Sequence, residues 1–434
     1  MQYHSLASPG ELYSLKEVLF KGLAPDGSLF MPEEIPALDP DLIRNIQDYS
    51  LPQLAFEVLK PFVTPDVPEA VLQQIVNDTF SFEIPLKPVA EGIQVLEVYH
   101  GPTQAFKDVG ARFLSRLLGH FNRGESRKLL VLTATSGDTG GAVAHGFHRV
   151  PGIEVVVLYP NGKVSPYQEY QITSPGDNVH AIAVNGSFDD CQRLVKDAFK
   201  DEALRQLVYM TSANSINMGR LLPQMVYYFH ALAQYRRAGF QDAPVITVPS
   251  GNFGNITAAM LAHKMGLPVK RFVAATNAND VVPRFLASGT YAPHATIATI
   301  ANAMDVGDPS NFPRMYALYH NQLSELKAEV TSFAVRDEEI KQTIKTVFEE
   351  VGYLMDPHTA AAYVGIKKEL RQGENGFFVS TAHPFKFGEV IDEVLPGGLA
   401  KAGYEIDFPK PDRAQLKVMA PEYAELKKRI EKMA

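Results

Sequence analysis

Short apolar runs recur along this chain, and each leads through a turn into a helix-patterned stretch. The strand candidates are Val95–Tyr99, Leu129–Thr133, Glu154–Tyr159, His180–Val184, Val245–Val248, Phe272–Ala275 and Phe377–Ser380. They are rich in Val, Ile, Leu and Phe, as strands covered on both faces must be. Apolar residues at helical spacing mark Ser215–Gln234, Ile256–Met265, Asp337–Val351 and Thr359–Leu370. This alternation predicts an α/β fold with mostly parallel sheets. Such sheets place ligands at the carboxyl ends of their strands, where glycine-rich turns open helices.

The first 80 residues lack this rhythm and are proline-rich, so a small helical N-terminal domain is expected over 1–80. The α/β region then covers 81–396. A polar C-terminal segment, 397–434, is expected to be peripheral and to end in the helix Tyr423–Met433. A single cysteine, Cys191, excludes an intrachain disulfide framework and a multi-cysteine zinc site, and fits a reducing, cytoplasmic home. His145 and His148 lie three apart on a helix but lack acidic or cysteine partners in sequence, so no metal site is expected. No basic, then apolar N-terminus suggests a signal peptide, and no apolar run approaches the roughly 20 residues of a membrane span. The net charge of −8 argues against nucleic acid as a partner.

One lysine is out of place. Lys107 follows the turn His100-Gly101-Pro102-Thr103 and opens a helix carrying Val109, Phe113, Leu114, Leu117 and Leu118. Arg112, Ser115 and Arg116 mark the wet face, whereas Lys107 aligns with Gly110, Ala111, Leu114 and Leu118. Burial and the positive end of the helix dipole both push its pKa down, as a Schiff-base lysine requires. The same pattern also fits a lysine whose stem merely snorkels along the core.

Three further strand ends carry hydroxyls, glycines or amides. In Thr133-Ala134-Thr135-Ser136-Gly137-Asp138-Thr139-Gly140, glycine allows close backbone approach and the new helix offers free N–H groups to an anion. Gly251-Asn252-Phe253-Gly254-Asn255 follows Val248-Pro249-Ser250 and can curl five N–H groups into a phosphate nest. Ser380-Thr381-Ala382-His383-Pro384 places a neutral hydroxyl where it could meet a ring nitrogen. Ser212-Ala213-Asn214-Ser215-Ile216-Asn217 is a cluster of small polar residues before a long helix. Taken singly, each also reads as a helix cap or tight turn.

Taken in order, these segments resemble threonine synthases, pyridoxal-phosphate enzymes of the tryptophan-synthase-β-like fold. The resemblance extends to Gly22-Leu23-Ala24-Pro25-Asp26-Gly27-Ser28-Leu29-Phe30, Ala274-Ala275-Thr276-Asn277 and Asn302-Ala303-Met304-Asp305-Val306. It implies two open sheet domains with pyridoxal 5'-phosphate in the cleft between them. It implies Lys107 as the lysine of the internal aldimine, Gly251, Asn252, Phe253, Gly254 and Asn255 as the phosphate cup, and Thr381 as the partner of the pyridine nitrogen. It further implies substrate contacts from Ser136, Gly137, Asp138 and Thr139, with Ser212, Asn214 and Asn217 beside them. Many relatives of the wider fold carry asparagine where Asp138 stands, so that asparagine's role is not transferred.

The implied reaction turns O-phospho-L-homoserine and water into L-threonine and phosphate, in a cytoplasmic monomer or homodimer. A phospho-lyase giving 2-oxobutyrate, a dehydratase and a non-catalytic relative are the competing expectations.

Overall fold

The computed structural model describes residues 1–135, 137–404, 408 and 416–433. Its strands are β1 Tyr3–Ser5, β2 Leu12–Tyr13, β3 Phe30–Pro32, β4 Leu86–Ala90, β5 Ile93–Glu97, β6 Leu129–Ala134 and β7 Ile153–Pro160. They continue with β8 Val179–Val184, β9 Tyr209–Thr211, β10 Val245–Pro249, β11 Arg271–Thr276, β12 Val330–Ala334, β13 Gly376–Ser380 and β14 Val418–Met419.

Two open sheets carry the α/β region. One has the order β12-β11-β10-β13-β5-β4, parallel except for the edge hairpin of β4 on β5. The other has the order β14-β8-β7-β6-β9 and is parallel throughout. β6, β10, β11 and β13 are buried at every position, which explains their apolar runs. Their side chains alternate between two cores. Ile246, Val248, Phe272 and Phe377 pack toward the helices Met225–Arg237 and Gly254–Lys264. Val95 and Phe378 pack toward Asp337–Val351 and Pro357–Glu369. On the other sheet, Leu130, Leu132 and Val156 meet the helix Phe188–Lys200.

The N-terminal region is helical, with Leu15–Lys21, Leu51–Val63 and Glu69–Thr79, but it also holds the antiparallel sheet β2-β1-β3. These strands are only two or three residues long, too short to show a period in sequence. β14 extends a parallel sheet at β8, and Leu426 and Ile430 of the helix Tyr423–Glu431 enter its core.

The topology gathers the polar segments. β5, β6, β9, β10 and β13 all run parallel within their sheets, so the turns that follow them lie at carboxyl edges.

Candidate active site

Lys107 is the first residue of the helix Lys107–Phe121. The turn before it is cinched by the carboxylate that follows it. Asp108 accepts from Thr103 N at 2.9 Å and from Thr103 Oγ1 at 2.5 Å. A Cβ on Gly101 would fall 2.5 Å from Asp108 Oδ2, so only glycine permits this closure. The turn is then sewn to the end of β13. Phe106 N donates to Thr381 O at 2.9 Å, His383 N donates to Gln104 O at 3.1 Å, and Ala105 bridges Ala382. Lys107 and Thr381, far apart in sequence, are thereby fixed side by side.

The Lys107 side chain is half-buried with its amine desolvated, and Nζ has no hydrogen bond or ion pair among the described residues. Loss of water lowers its pKa to about 8. Asp138 opposes that shift, while Lys386 and Arg220 reinforce it. The positive end of its own helix acts in the same direction as the two cations.

The loop after β6 is held by Thr135. Its hydroxyl accepts from Gly137 N at 3.0 Å and Gly140 N at 2.8 Å, and donates to Gly137 O at 3.1 Å. Gly137 has φ of 149°, and a Cβ there would strike Gln168 at 2.5 Å. Asp138 and Thr139 open the helix Asp138–Phe147, and their two N–H groups have no partner among the described residues. Ser136, expected beside them, lies outside the described residues. Asp138 is buried and accepts from Lys386 Nζ at 2.7 Å and Gln168 Nε2 at 3.0 Å. Burial alone would raise its pKa, but Lys386 and Lys107 hold the carboxyl well below the usual range.

The 251–255 loop forms a concave turn. Phe253 adopts left-handed φ of 59° and caps the helix Gly254–Lys264. From Gly251 to Ile256, no backbone N–H has a partner among the described residues. Gly251 lies against the Ala303–Met304 backbone, where a Cβ would come within 2.8 Å of Ala303 O. Asn252 fixes the loop from outside by accepting from Ser310 Oγ at 2.9 Å through Oδ1 and from Asn311 N at 3.1 Å through its carbonyl. Asn255 is buried. Its Oδ1 accepts from Tyr228 at 2.5 Å, while its Nδ2 is left without a partner.

These features fit pyridoxal phosphate. A row of free N–H groups with an orphaned amide donor suits its phosphate. An amine and a hydroxyl without partners among the described residues, Lys107 and Thr381 just past β13, suit its aldehyde and its ring nitrogen.

The 212–217 segment divides. Ser212 is buried, and Asn214 is half-buried with its Oδ1 accepting from Thr133 Oγ1 at 3.2 Å. Asn217, also expected on the substrate side, is tied into the framework. It is fully buried, and its amide donates to Leu19 O and Ser212 O, each at 3.0 Å. Its Oδ1 caps Gly219 N at 3.0 Å. Both of its amide hydrogens are thus spent inside the framework, and its Oδ1 already accepts one bond there.

Two residues escaped the sequence reading. Lys386 is fully buried and bridges Asp138 Oδ1 at 2.7 Å and Thr103 O at 2.8 Å, so it ties the Lys107 turn to the 137–139 loop. A signal was present, since a lone lysine between Phe385 and Phe387 directly follows the strand-end hydroxyls. Arg314 is buried without an acid partner among the described residues. It donates to Phe30 O at 2.9 Å, Asn311 Oδ1 at 2.9 Å and Ile216 O at 2.7 Å, joining β3, the outer support of the 251–255 loop and the 212–217 segment. Nothing local in sequence marks it.

Comparison with known proteins agrees with this geometry. Residues 92–381 match the family of pyridoxal-phosphate dependent enzymes, and residues 2–80 match the threonine synthase N terminus. The threonine synthase of Serratia marcescens is 44% identical over 410 residues, covering 94% of this chain and 93% of its own. The crystal structure of threonine synthase from Escherichia coli superimposes with a TM-score of 0.88 at 40% identity, covering 100% of both chains. The pyridoxal-phosphate-bound threonine synthase from Brucella melitensis gives a TM-score of 0.90 at 31% identity, covering 100% of this chain and 99% of that one. With a family match over most of its length and full-length relatives well above 30% identity, the chain belongs to the threonine synthase family of pyridoxal-phosphate-dependent enzymes.

Proposed function

We propose that the chain converts O-phospho-L-homoserine and water to L-threonine and inorganic phosphate, in the cytoplasm. The observation that carries this reading is the Lys107 amine, unpaired and shifted to about 8, locked beside Thr381 by the Phe106–Thr381 and Gln104–His383 bonds. When bound, the cofactor supplies an aldehyde for a primary amine and a ring that spreads the electron pair left by C–H cleavage.

The residues of the chain supply binding and proton traffic. Gly251–Asn255 hold the cofactor phosphate through backbone N–H groups and Asn255 Nδ2, without spending a lysine on it. Thr381 offers its hydroxyl to the ring nitrogen and, unlike a carboxylate, does not keep that nitrogen protonated. The N–H groups at Asp138 and Thr139 receive the substrate carboxylate at a helix N-terminus. An anion at Asp138 would repel that carboxylate, and the Lys386 ammonium cancels it. Ser212 and Asn214 stand on the substrate side.

With substrate in place, Lys107 in its neutral form would serve as the base at the substrate α-carbon. One proton leaves the α-carbon and one the β-carbon, and phosphate leaves the γ-carbon. The γ-carbon is reprotonated, the hydroxyl of water adds at the β-carbon and a proton returns to the α-carbon, which balances the overall reaction. The departing phosphate is itself a base within reach of these carbons and supplements Lys107.

The test is product identification. Purified holoenzyme given O-phospho-L-homoserine should release threonine and phosphate in equal amounts. Release of 2-oxobutyrate and ammonia instead would establish a phospho-lyase and overturn the reading.

A further inference from the structure

A cavity of about 740 Å3 lies between the N-terminal helix Leu15–Lys21 and the helix Phe188–Lys200. Its inner end is formed by Ala134, Ser212, Asn214 and Ile216, at the carboxyl ends of β6 and β9. It therefore borders the substrate side of the candidate site, while neither Lys107 nor the 251–255 loop lines it.

The charge of this cavity opposes that of the protein. Five cations, Lys16, Lys21, Arg127, Lys196 and Arg205, line it against two carboxylates, Glu17 and Glu125, in a chain of net charge −8. Both carboxylates are engaged. Glu125 pairs with Lys16 at 2.6 Å, and Glu17 accepts from Ser14 N at 2.9 Å and Ser14 Oγ at 2.8 Å in a helix cap. Arg127 lies 3.7 Å over the Tyr209 ring and has no carboxylate partner among the described residues, whereas Arg205 pairs with Glu202 at 3.9 Å. Lys21 and Lys196 stand exposed on the two facing helices, with no ion pair among the described residues. A concave, low-dielectric wall of one sign concentrates the field within it and raises the local concentration of opposite charge.

We propose that this cavity is an antechamber for a phosphate dianion, carried by the phosphorylated amino-acid substrate on its way in or left as inorganic phosphate on its way out. The inference rests on the proposed function and extends it, because it assigns a role to residues outside the cofactor site. The volume suits a small ligand. The hydroxyl and amide of Ser212 and Asn214 at the inner end offer the handover to the 137–139 loop.

The experiment compares the Lys21→Ala/Lys196→Ala holoenzyme with wild type at low ionic strength and in about 0.5 M salt, where exposed charges are screened. O-phospho-L-homoserine is the substrate and inorganic phosphate the product inhibitor. At low salt, KM or the phosphate inhibition constant should rise roughly five- to twentyfold, and the difference should fall below about twofold in high salt. A rise in KM alone assigns the antechamber to the substrate, a rise in the inhibition constant alone to the product, and both to the dianion generally. Values equal to wild type at low salt would overturn the inference, as would a loss that salt does not remove, since that marks packing and not charge. Wild-type enzyme that forms no threonine at all would overturn the proposed function, and this inference with it.

Discussion

The Lys386 ammonium lies 2.7 Å from the Asp138 carboxylate, and both side chains are buried. This ion pair joins the first residue of the helix Asp138–Phe147 to a short turn at the end of the other sheet, directly beside the glycine turn that follows β6. Removing one partner of a buried pair leaves an uncompensated charge. Lys386→Met should therefore cost about 3–5 kcal/mol of stability. Asp138→Asn/Lys386→Met should recover more than half of that loss, because neither group is then charged. Urea unfolding of the three proteins checks this. Equal stability of Lys386→Met and wild type would mean that the pair is not formed.

Lys107 sets the pH dependence of cofactor capture. Only the neutral amine attacks an aldehyde, and burial holds its pKa at about 8. The rate at which apoprotein takes up pyridoxal phosphate should climb with pH and level off above about 8. A midpoint near the ordinary lysine value would contradict the assignment. Because Lys386 lowers this pKa and Asp138 raises it, Lys386→Met should move the midpoint upward. Lys107→Ala should abolish the visible absorbance of lysine-bound cofactor and all turnover while leaving the far-ultraviolet circular dichroism unchanged.

Asn255 offers a sharper probe of the phosphate seat than the glycines around it. Its Nδ2 is buried without a partner, so the chain alone gains nothing from that donor. A hydrogen bond to a charged group contributes roughly 1.5–3 kcal/mol. Asn255→Ala should thus weaken cofactor binding by about 10- to 100-fold, read by fluorescence titration of the apoprotein. Unchanged affinity would place the phosphate elsewhere.

Glu97, at the end of β5, carries a separate acid sensitivity. Burial pushes its pKa up, but His100 at 2.7 Å and Lys87 at 2.8 Å outweigh that and bring it down to about 2. A carboxyl with a depressed folded pKa stabilises the fold above its unfolded value, and that contribution fades as pH falls. Wild type should therefore lose stability between about pH 4.5 and 2 more steeply than Glu97→Gln, with a difference on the order of 2 kcal/mol across the window. Parallel pH–stability curves from chemical denaturation would show that Glu97 is not the group responsible.

Much of the architecture was legible because buried strands and amphipathic helices write themselves locally. Every predicted strand from Leu129 onward appears within a residue or two of its expected bounds, as do the helices Gly254–Lys264, Asp337–Val351 and Pro357–Glu369. The short strands β1, β2 and β3 left no such trace, since two or three residues cannot display a period. The framework bonds of Asn217 were hidden from the sequence for a related reason. A small polar residue before a helix serves equally as a cap or a ligand, and only its neighbours Leu19, Ser212 and Gly219 decide between them.

By itself, then, the amino-acid order determined the α/β class, the displaced lysine at 107, and the glycine- and amide-rich turns at 137–140 and 251–255, because each follows from local periodicity and backbone freedom. The tertiary structure decided which of those residues meet. It set Lys107 beside Thr381, buried Lys386 against Asp138, and joined three distant segments through Arg314. Those pairings arise from parallel strands converging at their carboxyl ends, and long-range pairing of that kind leaves no periodic mark in the chain.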